Sequence, residues 1–390
     1  MIKKKNIIEE AYQNAIKVLE RCVRPVGFFA SGLPGGYEAV WARDSMITSL
    51  GASLAGEKFK KTFRKSLELL GKNQSKHGQI PNAVGSYNIE RRSDVTYNSI
   101  DSSLWYIIGN YVYARNFKDK LILKKNKKKI AGTLNWLQHQ DPNEDGLLVQ
   151  QPTMDWFDAF PHKYGRTINT QALYYAALKM MGENKLARRI KRVVNGDIEK
   201  YLSLYDQKRG YYLPWLWKAH GPNIREEEHW FDTFGNLLAI VTGLATPKIA
   251  KSILRFIEKN KINRPYPCKT IYPPIKKGDK EWHDYFAESE SVRPYHYANA
   301  GIWPFIGGFY VAALVKAGQL NKAKKELTLL AKANKLVRND APVQGWGFQE
   351  WLHGISGKPE GGSSPYQGWS AGAYVFAYES VKRKRTPYFS

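Results

Sequence analysis

Cysteine is almost absent from this 390-residue sequence: Cys22 and Cys268 are the only two, too few to staple a chain of this size, and neither has a metal-ligating neighbour at short spacing. Such usage fits a reducing compartment. No run of 18 apolar residues occurs, which argues against a membrane-spanning helix. The start, Met1 to Asn6, passes directly into an amphipathic Glu/Lys pattern without the apolar stretch of a signal peptide, so a cytoplasmic protein is expected. Also missing are HExxH, CxxC, P-loop, GxGxxG and Gly-x-Ser-x-Gly sequences. Metal, nucleotide, dinucleotide and nucleophile-elbow chemistry therefore have no carrier, and no cofactor or metal is expected.

Acidic residues are scarce relative to basic ones. Sixty Lys and Arg face 35 Asp and Glu, a formal net charge of +25, which raises nucleic acid or an anionic surface as partners. The densest run, Lys118 to Lys129, reads as a solvated helix face, and no nucleic-acid-binding motif accompanies it. Neither a nucleic-acid nor a membrane partner is expected. What the chain has in quantity is aromatic surface, with 12 Trp and 24 Tyr, enough for a packed interior and for stacking against a ligand.

Apolar residues recur at three- and four-residue spacing, while period-2 alternation is rare. Capping and breaker signals predict twelve helices, at 6–23, 44–55, 57–73, 100–116, 119–139, 168–182, 184–203, 232–244, 247–259, 299–317, 319–334 and 366–383. Long connections rich in Gly, Pro, Trp and Tyr separate alternate helices: 25–43, 74–99, 141–167, 206–231, 260–298 and 335–365. Six helical pairs with six long loops predict an all-α fold, an (α/α)6 barrel of one domain over 1–390, with the loops gathered at one end into a site. The pairs share no repeated pattern, which disfavours an open solenoid.

The chemistry sits in those loops. Asp155 and Asp158 lie among aromatics in Met154-Asp155-Trp156-Phe157-Asp158, where desolvation would raise a carboxyl pKa, as the general acid of glycoside hydrolysis requires. Either could be that acid, or both could cap the helix that follows. The second carboxylate needed across a sugar ring is best supplied by Glu350, flanked by Trp346 and Trp351 in a glycine-aromatic loop. Trp41, Arg43 and Asp44 enter a helix together, and Asp44 oriented by Arg43 could bind adjacent hydroxyls. Asp101 invites the same reading, with helix capping as its alternative. His296 and His229 are further candidates.

Taken together, these segments resemble the six-hairpin glycosidases, the group that includes alkaline/neutral invertases and the glucosidase domain of glycogen debranching enzymes. Tyr37 to Ser45, Gly78 to Asn82, Tyr97 to Trp105, Trp156 to Leu173, His229 to Pro247, Tyr295 to Pro304 and Tyr366 to Gly372 carry the likeness across most of the chain. It implies a hydrolase acting on a saccharide by inversion, with Asp158 favoured over Asp155 as acid and Glu350 as base. Arg43, Asp44, Asp101 and Trp303 would hold the terminal sugar. Trp41, Trp156, His296, Gln367 and Trp369 fall in the matching segments, and Trp346, Trp351 or Trp369 would shape the pocket wall. Two departures bear on substrate: the segment His296 to Pro304 has one residue more than the invertase pattern, and Ala159-Phe160 replace an acidic-arginine pair. A terminal glucosyl unit from an α-linked saccharide, sucrose-like or α-1,6-linked, is the expected substrate. The competing readings are a sugar-binding protein without catalysis and a basic nucleic-acid binder.

Overall fold

A computed structural model describes residues 6–86, 94–198, 203–218, 224–289 and 292–389. All twelve expected helices are present: α1 (Ile7–Arg21), α2 (Ala42–Leu54), α3 (Lys60–Lys72), α4 (Asp101–Asn116), α5 (Leu121–Gln138), α6 (Ile168–Met181), α7 (Asn184–Asn195), α8 (Thr233–Thr242), α9 (Pro247–Lys259), α10 (Pro304–Lys316), α11 (Leu320–Lys335) and α12 (Gly368–Arg383). Two boundaries differ from expectation for local reasons. Helix α10 starts at Pro304 and not at 299, because proline fits the first helical position and has no amide to donate further in. Helix α7 stops at Asn195, where Gly196 takes a left-handed conformation; part of the expected extension to 203 lies outside the described residues.

The even-numbered helices pack in a closed ring, α2 against α4, α4 against α6, then α8, α10, α12 and back to α2. This is the (α/α)6 barrel. Ring helices are buried on every side: all ten residues of α8 are buried, as are all residues of α10 except Lys316. Such helices carry no polar face, whereas outer helices such as α7 and α9 bury one stripe and turn lysines and arginines outward. Helices α2 and α12 approach so closely at Gly51 and Gly372 that a Cβ on Gly51 would lie 2.0 Å from the Gly372 carbonyl oxygen. The lysines of 118–129 fall on α5 and the turn before it, mostly on the outward face.

Every long connection leads from an outer helix into a ring helix, at 22–41, 73–100, 139–167, 196–232, 260–303 and 336–367, while the return turns are short. The long loops therefore collect at the N-terminal end of the ring. Main-chain hydrogen bonds link each loop to the next around this mouth. Trp41 pairs with Ala83, the Ile100 amide donates to the Met154 carbonyl at 2.7 Å, and Thr167 pairs with Trp215. Phe231 then pairs with Tyr272, Ile302 with Leu352, and Gln367 with Ser31. Links this short, single bridges or two-residue ladders, leave no alternating pattern in a sequence, yet together they form a belt that fixes the loop side chains relative to one another. No helix among the described residues is long and apolar enough to cross a membrane.

Candidate active site

Inside the belt lies a cavity of about 270 Å³ lined by Ala30, Tyr37, Trp41, Arg43, Asp44, Asn82, Asn98, Trp156, Asp158, Tyr297, Trp303, Glu350, Gln367 and Trp369. Nine of the residues singled out from sequence meet there: Trp41, Arg43, Asp44, Trp156, Asp158, Trp303, Glu350, Gln367 and Trp369. Three carboxylates, Asp44, Asp158 and Glu350, and one guanidinium, Arg43, line it, so the cavity is acidic inside a basic chain.

Arg43, in the first turn of α2, is buried and approaches three carboxylates: Asp101 at 3.2 Å, Asp44 at 3.7 Å and Asp158 at 3.8 Å. Asp101 does not line the cavity. It stands behind Arg43 at the start of α4, accepts a hydrogen bond from the Ser99 hydroxyl, and holds the guanidinium in place. Burial pushes the Asp44 carboxyl up to about 6 against the opposing pull of Arg43. Its Oδ2 has no hydrogen-bond partner among the described residues, and the same is true of Trp156 Nε1, Trp369 Nε1 and Gln367 Nε2.

Glu350 comes from the opposite loop. Its amide donates to the Ser364 carbonyl at 2.8 Å, and its carboxylate accepts from the Tyr37 hydroxyl at 3.2 and 3.4 Å. Burial pushes this carboxyl up to about 8, with hydrogen bonds from Ser364 and Tyr37 opposing and Asp44 and Asp158 adding to the rise. Asp158 differs in that 42% of its side chain is open. Burial within the cavity raises it too, but Arg43 holds the rise back.

Asp155, the rival acid, is not at the cavity. Its side chain is fully buried and salt-bridged to Lys163 at 2.9 Å, and its Oδ1 accepts from the Phe157 amide. Four other candidates also lie outside. Trp346 donates its Nε1 to Glu10 on α1, bracing the outer layer. Trp351 is buried behind the wall against Tyr297 and His296. His296 gathers with His353 and Glu360, their ligand atoms within 4.8 Å of one another, but the His353 Nδ1 already accepts from the Ser356 amide. His229 pairs with Glu227 at 3.6 Å, away from the cavity.

Sequence reasoning assigned no role to Tyr37, Asn82, Asn98 or Tyr297, all of which line the cavity. Tyr37 and Tyr297 both have positive φ, 46° and 37°, a rare conformation for an aromatic residue that belt contacts sustain. Only Gly35-Gly36 before Tyr37 hinted at such a turn. Trp303 donates its Nε1 to the Tyr297 carbonyl at 2.9 Å, and Trp156, Trp303 and Trp369 meet edge to face at 5.5 Å centroid separations, a rigid floor for a sugar ring.

A closed ring of paired helices with acids and tryptophans in its mouth is the architecture of a glycosidase, and comparison with known proteins agrees. The amylo-alpha-1,6-glucosidase family profile matches residues 25–375, and the chain belongs to that family. It is 23% identical over 94% of its length to the mitochondrial alkaline/neutral invertase C of Arabidopsis thaliana, covering 65% of that protein. It is 25% identical over 60% of its length to the chloroplastic probable alkaline/neutral invertase A of the same plant, covering 44%. The chain thus spans less than two thirds of these relatives. Among solved structures, the GH63 mannosylglycerate hydrolase from Thermus thermophilus, in complex with Tris and D-glycerate, superposes with a TM-score of 0.65 at 15% identity, over 94% of this chain and 99% of that one. A rhamnosidase from Klebsiella oxytoca gives 0.64 at 15% identity over 97% of this chain and 64% of its own. These likenesses show the same fold.

Proposed function

We propose that the protein is an inverting glycoside hydrolase that releases a terminal glucosyl unit from an α-linked saccharide. The observation that carries this reading is the meeting of Asp158 and Glu350, from two different loops, in one cavity with the Arg43–Asp44 pair and a tryptophan floor. Asp158 protonates the glycosidic oxygen, and Glu350 takes a proton from the water that attacks the anomeric carbon on the opposite ring face. The electron pair of the broken C–O bond leaves with the aglycone oxygen, and no covalent intermediate forms. The ionised carboxylates of the cavity favour the positive charge that builds on the ring at the transition state.

A cavity of about 270 Å³, comparable to the smallest ligand sites, supports binding of a single sugar unit. The family description points to α-1,6 linkages and the invertase relatives to sucrose. Release of glucose from isomaltose, limit dextrin, sucrose and glucosylglycerate decides between them. Activity on one of these that survives in neither Asp158→Asn nor Glu350→Gln supports the proposal. Wild-type rates in both variants refute the site, and saccharide binding without turnover supports the sugar-binding alternative.

A further inference from the structure

Lys163 takes no part in the chemistry above, yet its ammonium is buried, with 1% of the side chain exposed, midway between Asp155 and Asp232 at 2.9 Å each. It also lies 4.4 Å from the centre of the Phe157 ring. Each carboxylate has a second task. Asp155 Oδ1 accepts from the Phe157 amide at 2.9 Å, and Asp232 caps α8 by accepting from the Gly235 amide at 3.1 Å. The ammonium thus ties the segment 155–163 back on itself, with Asp158 at its bend, and fastens that bend to the first turn of a ring helix.

Taking three charges out of water is unfavourable unless each is paired, and an apolar cluster of the same size is often at least as stable. Such a triad is better explained by a geometry it enforces than by stability. We infer that Lys163, through Asp155 and Asp232, is the positioning residue for Asp158, holding the acid at the leaving oxygen and short of collapse onto Arg43 3.8 Å away. The inference rests on the acid role proposed for Asp158.

The dependence on leaving group tests it. A glycosidic oxygen must be protonated as it departs, whereas fluoride leaves with little help, so α-D-glucosyl fluoride bypasses the acid. In Lys163→Met, kcat on isomaltose or sucrose, whichever the wild type cleaves, falls roughly 10- to 100-fold with KM within about twofold, as expected for misplacement of a catalytic group by about 1 Å. Turnover of the fluoride stays within about threefold of wild type, since proton donation is the step it omits. Should Lys163→Met not fold, Asp155→Asn, of the same shape and leaving Lys163 paired one to one with Asp232, carries the same comparison. Equal losses on both substrates by folded enzyme would show a purely structural role and overturn the inference, as would unchanged kinetics. Asp158→Asn is the benchmark: wild-type rates in it refute the acid assignment itself, whereas an impaired Asp158→Asn beside unaffected clamp variants refutes only the clamp.

Discussion

The two ends of the helical ring are built from the same six helices and differ in nearly everything else. At the N-terminal end, long loops laced by a main-chain belt enclose a cavity of about 270 Å³ with three carboxylates. At the C-terminal end a larger cavity, about 430 Å³, is lined by Tyr111, Arg115, Tyr175, Lys179, Lys316 and Phe389 among others. Its cations are already engaged: Arg115 donates to the Tyr388 carbonyl, Lys316 to the Phe389 carbonyl and Lys179 to Asn184. Aligned peptide dipoles explain the sorting of charge, since helix N-termini favour anions and C-termini favour cations. Cavity size therefore does not locate chemistry in this molecule. Carboxylates brought together from separate loops mark the candidate site instead.

The largest effects are expected where the two carboxylates proposed as acid and base are removed. Asp158→Asn and Glu350→Gln should each lower kcat/KM by about 10²–10⁴-fold on a natural glycoside, the range for loss of a general acid or base, with unchanged circular dichroism and thermal midpoint. Next comes Asp44→Asn, which weakens charge-assisted bonds to sugar hydroxyls. A rise in KM of roughly tenfold or more is expected, corresponding to ~1.5–3 kcal/mol for a hydrogen bond to a charged group, and a KM within about twofold of wild type would remove Asp44 from the binding set.

The pH profile sharpens the same comparison. On the proposed mechanism, catalysis needs one proton on the Asp158–Glu350 pair: with two the base is lost, and with none the acid is lost. Because Glu350 is pushed up to about 8, the alkaline limb of kcat/KM should fall near that pH, and the acidic limb should lie above the usual aspartate range, since Asp158 is raised. The Tyr37 hydroxyl stabilises ionised Glu350, so Tyr37→Phe raises its pKa further and moves the alkaline limb upward. A limb that stays put in Tyr37→Phe would break this link. The smallest effect belongs to the opposite end: Lys316→Met should leave kcat/KM within about twofold, and its stability change should be on the order of 1 kcal/mol, as for one ordinary hydrogen bond.

Much of this architecture was legible in the sequence because helical periodicity is local. The twelve helices, the long loops and the pairing of Arg43 with Asp44 all follow from spacing and residue type. The belt was not legible: each rung is a single bridge or two-residue pairing between loops far apart in the chain, such as Trp41 with Ala83. Misplaced candidates share that cause. Trp346 and Trp351 flank Glu350 in sequence, but Trp346 and Phe348 adopt positive φ, and these kinks aim Trp346 at α1 and leave only Glu350 of the three at the cavity. Asp155 and Asp158 are three residues apart and chemically alike; only Lys163 and Asp232, reached through the fold, separate a buried structural carboxylate from an open one.

Inversion by Asp158 and Glu350 is tested most directly by proton NMR of the sugar as it is released. With an α-linked glucoside, the β-anomer of glucose should appear first and the α-anomer only later by mutarotation. Initial appearance of the α-anomer would mean retention, and would contradict the roles of acid for Asp158 and base for Glu350.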